Sequence, residues 1–527
     1  MYKILISDKL GEAGLQRLDE TTDAAYDVKT DLTREELLEV IPEYEALIVR
    51  SGTKVDAELL EAAERLRVIG RAGIGVDNID IRAATMQGII VMNTPQANAI
   101  ATAEQTMALM LALSRHTHLA HASLHAGEWR RSEFVGVQLY RKTLGIIGFG
   151  RIGRLVARRG QAFGMEVVAY DPFVSEEVGR ELGVLLVDLD DLLAQSDYIS
   201  LHTASTPETE KMINAKTIAQ MKEGVRLINA ARGKLIDENA LAAALDSGKI
   251  AAAALDVYSV EPPLDNPLLG RPNVLHTPHL GASTREAQRD VATQIVDQVL
   301  DALRGRDFRN AINMPFPAGP DFAAGRPYMQ LAEKMGALQS VLAPAPIRRV
   351  EVEARGDAVS ELVRPVAAAL LKGLLESSLS DPVNYINAPV LAEEHGINIA
   401  QTTGVSVADY PNLISCRVHW DGGARTLSGV LFGGGEPRIV QVDNYQLDVS
   451  PEGIILVMQN RDVPGVIGQV GTILAAYEVN IGEWRMGREA PGSEALSFIN
   501  LDNKPPEPVL QALRKIPAVT NLQLVTL

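Results

Sequence analysis

Cysteine is nearly absent: one residue, Cys416, in 527. That excludes a disulfide framework within the chain and fits a reducing compartment, the cytoplasm. Cys416 sits in the strand-like run NLISCRVHW, where a packed, inert thiol is expected. Positive charge is short as well. The 50 Lys and Arg against 67 Asp and Glu leave a net charge of −17. This balance argues against nucleic acid or an anionic membrane surface as partner, while allowing a local basic pocket for a small anion. Long hydrophobic runs are missing: MALMLAL (107–113) is far too short to span a bilayer. The start, MYKILISD, has no basic segment leading into an apolar one, so no signal peptide is expected. No His-Glu-x-x-His pattern occurs, and His116, His118, His121 and His125 lack a further ligand signal. They are expected on a helix surface or a subunit interface, with no metal.

What is present is a chain long enough for three or four domains at roughly 100–200 residues each. Its first ~310 residues alternate short apolar runs with helical patterns, which marks βαβ units and parallel sheets. YKILIS, ALIVR, RVIGRAG and GIIVMN form one set of expected strands. A helical stretch from Ala97 to His125 follows. A second set then begins: TLGIIGF, EVVAYD, YISLHT, VRLINA, AAAALDVY and VLHTPH. These runs are almost continuously apolar, as strands covered on both faces should be. The helix at 284–305 can return the chain to the first layer. The expected architecture is a Rossmann-type dinucleotide-binding domain (97–283) inserted in a smaller flavodoxin-like α/β domain (1–96 and 284–312). A Pro- and Gly-rich boundary at 313–327 precedes an α+β intervening domain (313–450). The tail, 453–527, reads βαββαβ, a ferredoxin-like order.

The segment TLGIIGFGRIGRLVARRGQAFGMEVVAYDP (143–172) contains Gly148-x-Gly150-x-x-Gly153. The triplet follows an apolar strand, opens a helix, and is followed 18 residues later by Asp171 at the end of a second strand. In that context it reads as a dinucleotide site. Gly148 suits the tight turn, Gly150 the approach of backbone to a pyrophosphate, and Gly153 the packing of helix on strand. Arg151 and Ile152 stand where they can line the pyrophosphate. Asp171 can accept both ribose hydroxyls and would repel a 2′-phosphate, so NAD is favoured over NADP.

Three strand-end stretches follow: NAARGKLID (229–237), LDVYSVEPP (255–263) and HTPHLGAST (276–284). In open α/β sheets ligands collect at the carboxyl ends of strands. Arg232, Glu261 and His279 are thereby expected on one rim. A histidine suits removal of a hydroxyl proton during hydride transfer, and a carboxylate beside it fixes the tautomer and stabilises the imidazolium. Arg is the matching fork for a substrate carboxylate. His276 is expected on the strand side, in or near the core, without a catalytic role.

Together GFGRIG, NAARGKLIDENAL, ALDVYSVEPP and HTPHLGASTREAQ resemble the D-isomer-specific 2-hydroxyacid dehydrogenase family over roughly residues 1 to 310. The resemblance implies that Arg232 binds substrate carboxylate and carbonyl, His279 is the acid/base and Glu261 pairs with it. It also places Thr203, Ala230 and Asp256 near the nicotinamide and ribose. In the first layer Arg50 and Arg71 flank the turn Gly73-Ile74-Gly75, whose amides can face an anion. With Arg232 they make three cations, more than a short uncharged hydroxy acid requires, and they suit a second anionic group such as phosphate.

The run MQNRDVPGVIGQVGTILAAYEVNIGEWRMGRE (458–489) resembles the opening of an ACT domain, a βαββαβ module that binds amino acids. Asn460, Asp462 and Asn480 are the matching ligand positions: Asp462 for an ammonium, the asparagines for carboxylate or hydroxyl. An intervening domain plus a terminal ACT domain resembles the long form of the family's serine-synthesis branch. That implies NAD-dependent oxidation of 3-phospho-D-glycerate to 3-phosphooxypyruvate, with serine as effector in a homodimer or homotetramer. Trp129 in AGEWRRSEF is expected as an interface anchor. Another hydroxyacid or hydroxypyruvate reductase, or a non-enzymatic NAD sensor, shares the same motifs.

Overall fold

The structure, a computed structural model, describes residues 1–316, 322–379, 382–406, 409–433 and 435–527. The boundary expected at 313–327 therefore lies partly outside the described residues. Among those residues no helix is long and apolar enough to cross a membrane.

The first sheet holds β1 (Tyr2–Ile6), β2 (Ala24–Val28), β3 (Ala46–Val49), β4 (Val68–Arg71) and β5 (Ile90–Asn93) in the parallel order β2-β1-β3-β4-β5. This is the flavodoxin-like order. It has five strands where four are expected from sequence. The extra one, AAYDV, is the half-exposed edge β2, which lacks the apolar run of its buried neighbours. The helix Arg285–Leu303, capped by Thr284, returns to this sheet and presses Ile295 and Val299 onto Gly70 of β4.

The second sheet holds β6 (Thr143–Ile147), β7 (Glu166–Tyr170), β8 (Leu185–Leu186), β9 (Tyr198–Leu201), β10 (Val225–Asn229), β11 (Ile250–Leu255) and β12 (Val274–His276). Their order, β12-β11-β10-β9-β6-β7-β8, reverses direction of winding at β6, and every pairing is parallel. This is the Rossmann arrangement, with a crevice at the carboxyl ends of β6 and β9. Both faces are covered: Leu144, Ile146 and Ile228 pack with Met107, Met110 and Leu113 on one side, while Ile147, Leu201 and Leu227 pack with Leu241 and Leu245 on the other. The single helical stretch expected over 97–125 is two helices, Ala99–Arg115 and Thr117–His125. His116 adopts a left-handed conformation, φ 52°, which ends the first.

The third sheet is mixed: β13 (Ile347–Arg355), β14 (Asn398–Gly404), β15 (Leu413–Trp420), β16 (Gly423–Phe432), β17 (Glu436–Val442) and β18 (Tyr445–Val449), in order β14-β13-β15-β16-β17-β18. The run RIVQVDNYQLDV is a hairpin rather than one strand, turning at Asp443-Asn444 with Asp443 at φ 49°. The helices Phe322–Leu342 and Val363–Glu376 cover the sheet. Cys416 is fully buried beneath them, and burial pushes its thiol up to about 12, so it is inert. The fourth sheet, β19 (Ile454–Arg461), β20 (Ile481–Arg488), β21 (Glu494–Leu501) and β22 (Val519–Thr526), is antiparallel in order β20-β21-β19-β22. With the helices Val466–Ala476 and Glu507–Arg514 it is a βαββαβ unit.

Candidate active site

The carboxyl end of β6 turns at Gly148 with φ 94°. A Cβ there would meet the His202 carbonyl carbon at 2.6 Å, and one on Gly153 would meet the Gly148 oxygen at 2.2 Å. Turn and close packing explain those two glycines. At Gly150 a Cβ would meet no protein atom within 4 Å, although the residue stands at the head of the helix Arg151–Ala162. The protein itself does not demand a glycine there. Close approach of a ligand to the helix N–H groups does, which fits a pyrophosphate. Asp171, at the end of β7, is held beside this turn by the Phe149 and Phe173 N–H groups at 2.8 and 2.9 Å. Thr203 follows β9 with its nitrogen close to Gly148, and Ala230 follows β10. Two side chains depart from expectation. Arg151 reaches across to the Pro95 carbonyl at 2.8 Å, and Ile152 packs on the core. An Asp171→Asn variant keeps an acceptor for Phe149 and loses the charge. It is expected to narrow the preference for NAD over NADP by roughly 10- to 100-fold in kcat/KM, read with both dinucleotides.

Arg232, Glu261 and His279 meet at the carboxyl ends of β10, β11 and β12. His279 Nδ1 lies 2.8 Å from Glu261 Oε2, with both side chains about half exposed. Burial pushes the Glu261 carboxyl up. The His279 hydrogen bond and charge, the Tyr258 N–H and the Arg232 charge outweigh it and leave the carboxyl below its ordinary range. His279 has φ 54°, a left-handed conformation unusual for a side chain of this size. Asp256 holds it there. Its carbonyl accepts the His279 N–H at 2.8 Å, and its carboxylate accepts from Thr277 Oγ1, Leu280 N and Gly281 N at 2.6–2.8 Å. Asp256 is fully buried. Expected beside the nicotinamide, it acts in this structure as the anchor of the His279 loop.

The arginine fork is pinned on two sides. Arg232 Nε donates to Asp77 Oδ2 at 2.8 Å and Nη1 to the Ala231 carbonyl at 2.7 Å. Nη2 then faces the Gly73-Ile74-Gly75 turn, where a Cβ on Gly75 would come within 1.7 Å of it. A Cβ on Gly73 (φ 145°) would strike Arg71 Nη1 in the same way. The turn itself is tied by the Asn93 amide to the Ile74 carbonyl at 2.6 Å. Arg71 is mostly buried, and its Nε has no hydrogen-bond partner. Burial, then the charges of Arg232 and Arg50, lower its guanidinium to about 10. Gly75→Ala is expected to displace the Arg232 fork and cut kcat/KM for the hydroxy acid on the order of 10²-fold, with NAD affinity unchanged. Steady-state kinetics beside NAD titration calorimetry tests this.

The three residues expected to hold a regulatory ligand do not bond one another. Asn460 is buried, and its Oδ1 lacks a partner. Asp462 is engaged by Arg488 Nη1 at 2.5 Å and by the Gly492 N–H at 3.2 Å, which keep its carboxyl low. It is therefore not a free anion awaiting an ammonium, as sequence suggests. Asn480 donates to Asp502 at 2.6 Å.

Residues 107–281 match the NAD-binding domain of D-isomer specific 2-hydroxyacid dehydrogenases, 325–443 the D-3-phosphoglycerate dehydrogenase intervening domain, and 454–518 the ACT domain. A D-3-phosphoglycerate dehydrogenase of Methanocaldococcus jannaschii is 43% identical over 528 residues, covering 100% of both chains. One from Synechocystis sp. is 41% identical over 529 residues, covering 100% of this chain and 95% of the relative. The chain belongs to the D-3-phosphoglycerate dehydrogenase family. Among solved structures, a glyoxylate reductase from Paecilomyes thermophila aligns with a TM-score of 0.55 at 34% identity, covering 59% of this chain and 98% of that one. A D-lactate dehydrogenase from Aquifex aeolicus, complexed with NAD and lactic acid, aligns at 0.53 and 31%, covering 58% and 96%. In this member of the phosphoglycerate dehydrogenase family, sequence reasoning missed Asp77, Asn229 and Tyr258. Asn229 ties the Arg232 loop through the Ala231 N–H and the Arg232 carbonyl. Its place at a strand end before Arg232 was a signal. For Asp77, 155 positions from its partner, the sequence carries none.

Proposed function

We propose that this protein oxidises 3-phospho-D-glycerate to 3-phosphooxypyruvate with NAD, the first step of L-serine synthesis. One observation carries the choice of substrate. Arg50 and Arg232 lie near enough to Arg71 to lower its guanidinium, Arg232 also acts on Glu261, and although Asp77 and Asp8 offset part of this charge, Arg71 has no carboxylate within ion-pair distance among the described residues. Such a cluster still carries an excess of positive charge, and a phosphorylated hydroxy acid brings two anionic groups to it.

Gly148, Gly150, Gly153, Asp171, Thr203 and Ala230 would hold NAD, which supplies the hydride acceptor when bound. The chain's own part follows from the hydrogen bonds. Glu261 occupies Nδ1 of His279, so Nε2 is the nitrogen left to take the C2 hydroxyl proton. The ionised Glu261 stabilises the imidazolium that forms. Arg232 orients the carboxylate, and Arg50 and Arg71 the phosphate. In this reading residues 1–96 with 284–312 form the substrate lobe and 97–283 the cofactor lobe. NADH absorbance on a substrate panel tests it. Turnover of 3-phosphoglycerate far above D-glycerate is expected; equal rates defeat the phosphate assignment, and no NADH from any hydroxy acid defeats the enzyme.

Serine at the ACT domain is supported by the unpartnered Asn460 Oδ1, and calorimetry with L-serine tests it. Trp129, 81% exposed, and Val135, 80% exposed, fit a homo-oligomer interface. The buried lone Cys416 fits a cytoplasmic site of action.

A further inference from the structure

His276 takes no part in the chemistry above, yet it closes β12 three residues before His279. Its Nδ1 lies 3.0 Å from Tyr258 Oη, and the two rings stack with centroids 6.2 Å apart at 26°. Tyr258 is buried at 7% exposure. Burial lowers the His276 imidazole below its ordinary range and pushes the Tyr258 phenol up to about 12, so both are neutral near pH 7. Tyr258 also reaches Glu261, the end of β11 and the backbone beside Arg232. Its N–H donates to Glu261 Oε1 at 3.1 Å, and its hydroxyl lies 3.3 Å from the Leu255 carbonyl at the end of β11. A Cβ on Gly233, next to Arg232, would lie 1.8 Å from its carbonyl carbon. The next residue, Ser259, is clamped by Glu238 through N–H and hydroxyl at 2.9 and 2.6 Å.

Glu261 and His279 come from the ends of two neighbouring strands and meet at the surface. A half-exposed ion pair holds such a spacing weakly. Beneath it, Tyr258 and His276 join the same two strand ends at a buried level. We infer that Tyr258 and His276 form a positioning pair that sets the Glu261–His279 geometry from below. Catalytic geometry must be held to about 0.5 Å by supporting hydrogen bonds. Asp256 fixes the backbone of the His279 loop, and the Tyr258–His276 contact is a second, side-chain link across the same gap that also reaches Glu261.

The inference rests on the Glu261–His279 reading, so wild-type turnover is measured first. Tyr258→Phe and His276→Leu are each expected to lower kcat roughly threefold to tenfold, with KM and NAD affinity unchanged. The double variant should lose no more than either alone, because both remove one interaction. His276→Gln, whose amide can still bond the hydroxyl, should keep kcat. Tyr258→Phe or His276→Leu losing thermal stability yet keeping full kcat, losses that multiply in the double variant, or His276→Gln lowering kcat as badly as His276→Leu would overturn the pair. A wild-type protein without turnover on any hydroxy acid overturns both readings and is told apart by that first measurement.

Discussion

His279→Gln should lower kcat by roughly 10²–10⁴-fold while NAD binds as before. The substitution is chosen for what it preserves. Glutamine can still donate an amide hydrogen to Glu261, as Nδ1 now meets that carboxylate at 2.8 Å. The loop keeps its Asp256 anchor, since those bonds come from backbone and from Thr277. What disappears is the basic nitrogen facing the cleft. NADH formation gives kcat and calorimetry gives NAD affinity. His276→Gln serves as the partner control, with a loss of stability and near-normal turnover. If the outcomes are exchanged, the wrong histidine has been assigned.

Arg71→Gln should separate the two substrates. For 3-phosphoglycerate kcat/KM should fall roughly 10- to 100-fold, the worth of one charged hydrogen bond or more; for D-glycerate it should barely change. Equal losses on both would move Arg71 to the carboxylate end. The same variant should make the substrate-free protein more stable. Burial and the neighbouring arginines lower the Arg71 guanidinium to about 10 in the fold. A base held below its unfolded value binds fewer protons when folded. Its charge therefore opposes folding at every pH below about 10, and the penalty lifts only as pH rises from there towards the ordinary arginine value. Glutamine removes it. A thermal midpoint that rises without ligand, together with weaker protection by inorganic phosphate, is the expected pattern.

Much of the fold is legible wherever strands are covered on both faces. The strands from Thr143 to His276 read as apolar runs because helices pack on either side of them. The half-exposed β2 has no such run, and the turn at Asp443-Asn444 sits inside an otherwise strand-like stretch. The break at His116 depends on one left-handed residue that no periodicity announces. In the site, Arg232, Glu261 and His279 are visible because strand ends converge in any parallel sheet. Their supports are not. Asp77 meets Arg232 across 155 positions, and Asp462 meets Arg488 across strands of the terminal domain. Charge alone marks Asp462 as a free anion; only the neighbouring strand shows it is occupied.

The inserted second sheet has a mechanical corollary. The chain crosses between the two layers twice, once between Asn93 and Ala99 and again between His276 and Arg285. Two crossings side by side make a hinge: they allow the jaws to swing and resist sliding or twisting apart. The second crossing is the His279 loop itself, so the proposed acid/base residue sits on that hinge. In the proposed reading, a swing of one layer against the other would carry the proton-transferring group with it. Thickening the solvent is then expected to slow kcat even where the chemical step is untouched, and a kcat independent of viscosity would mean the swing does not pace turnover.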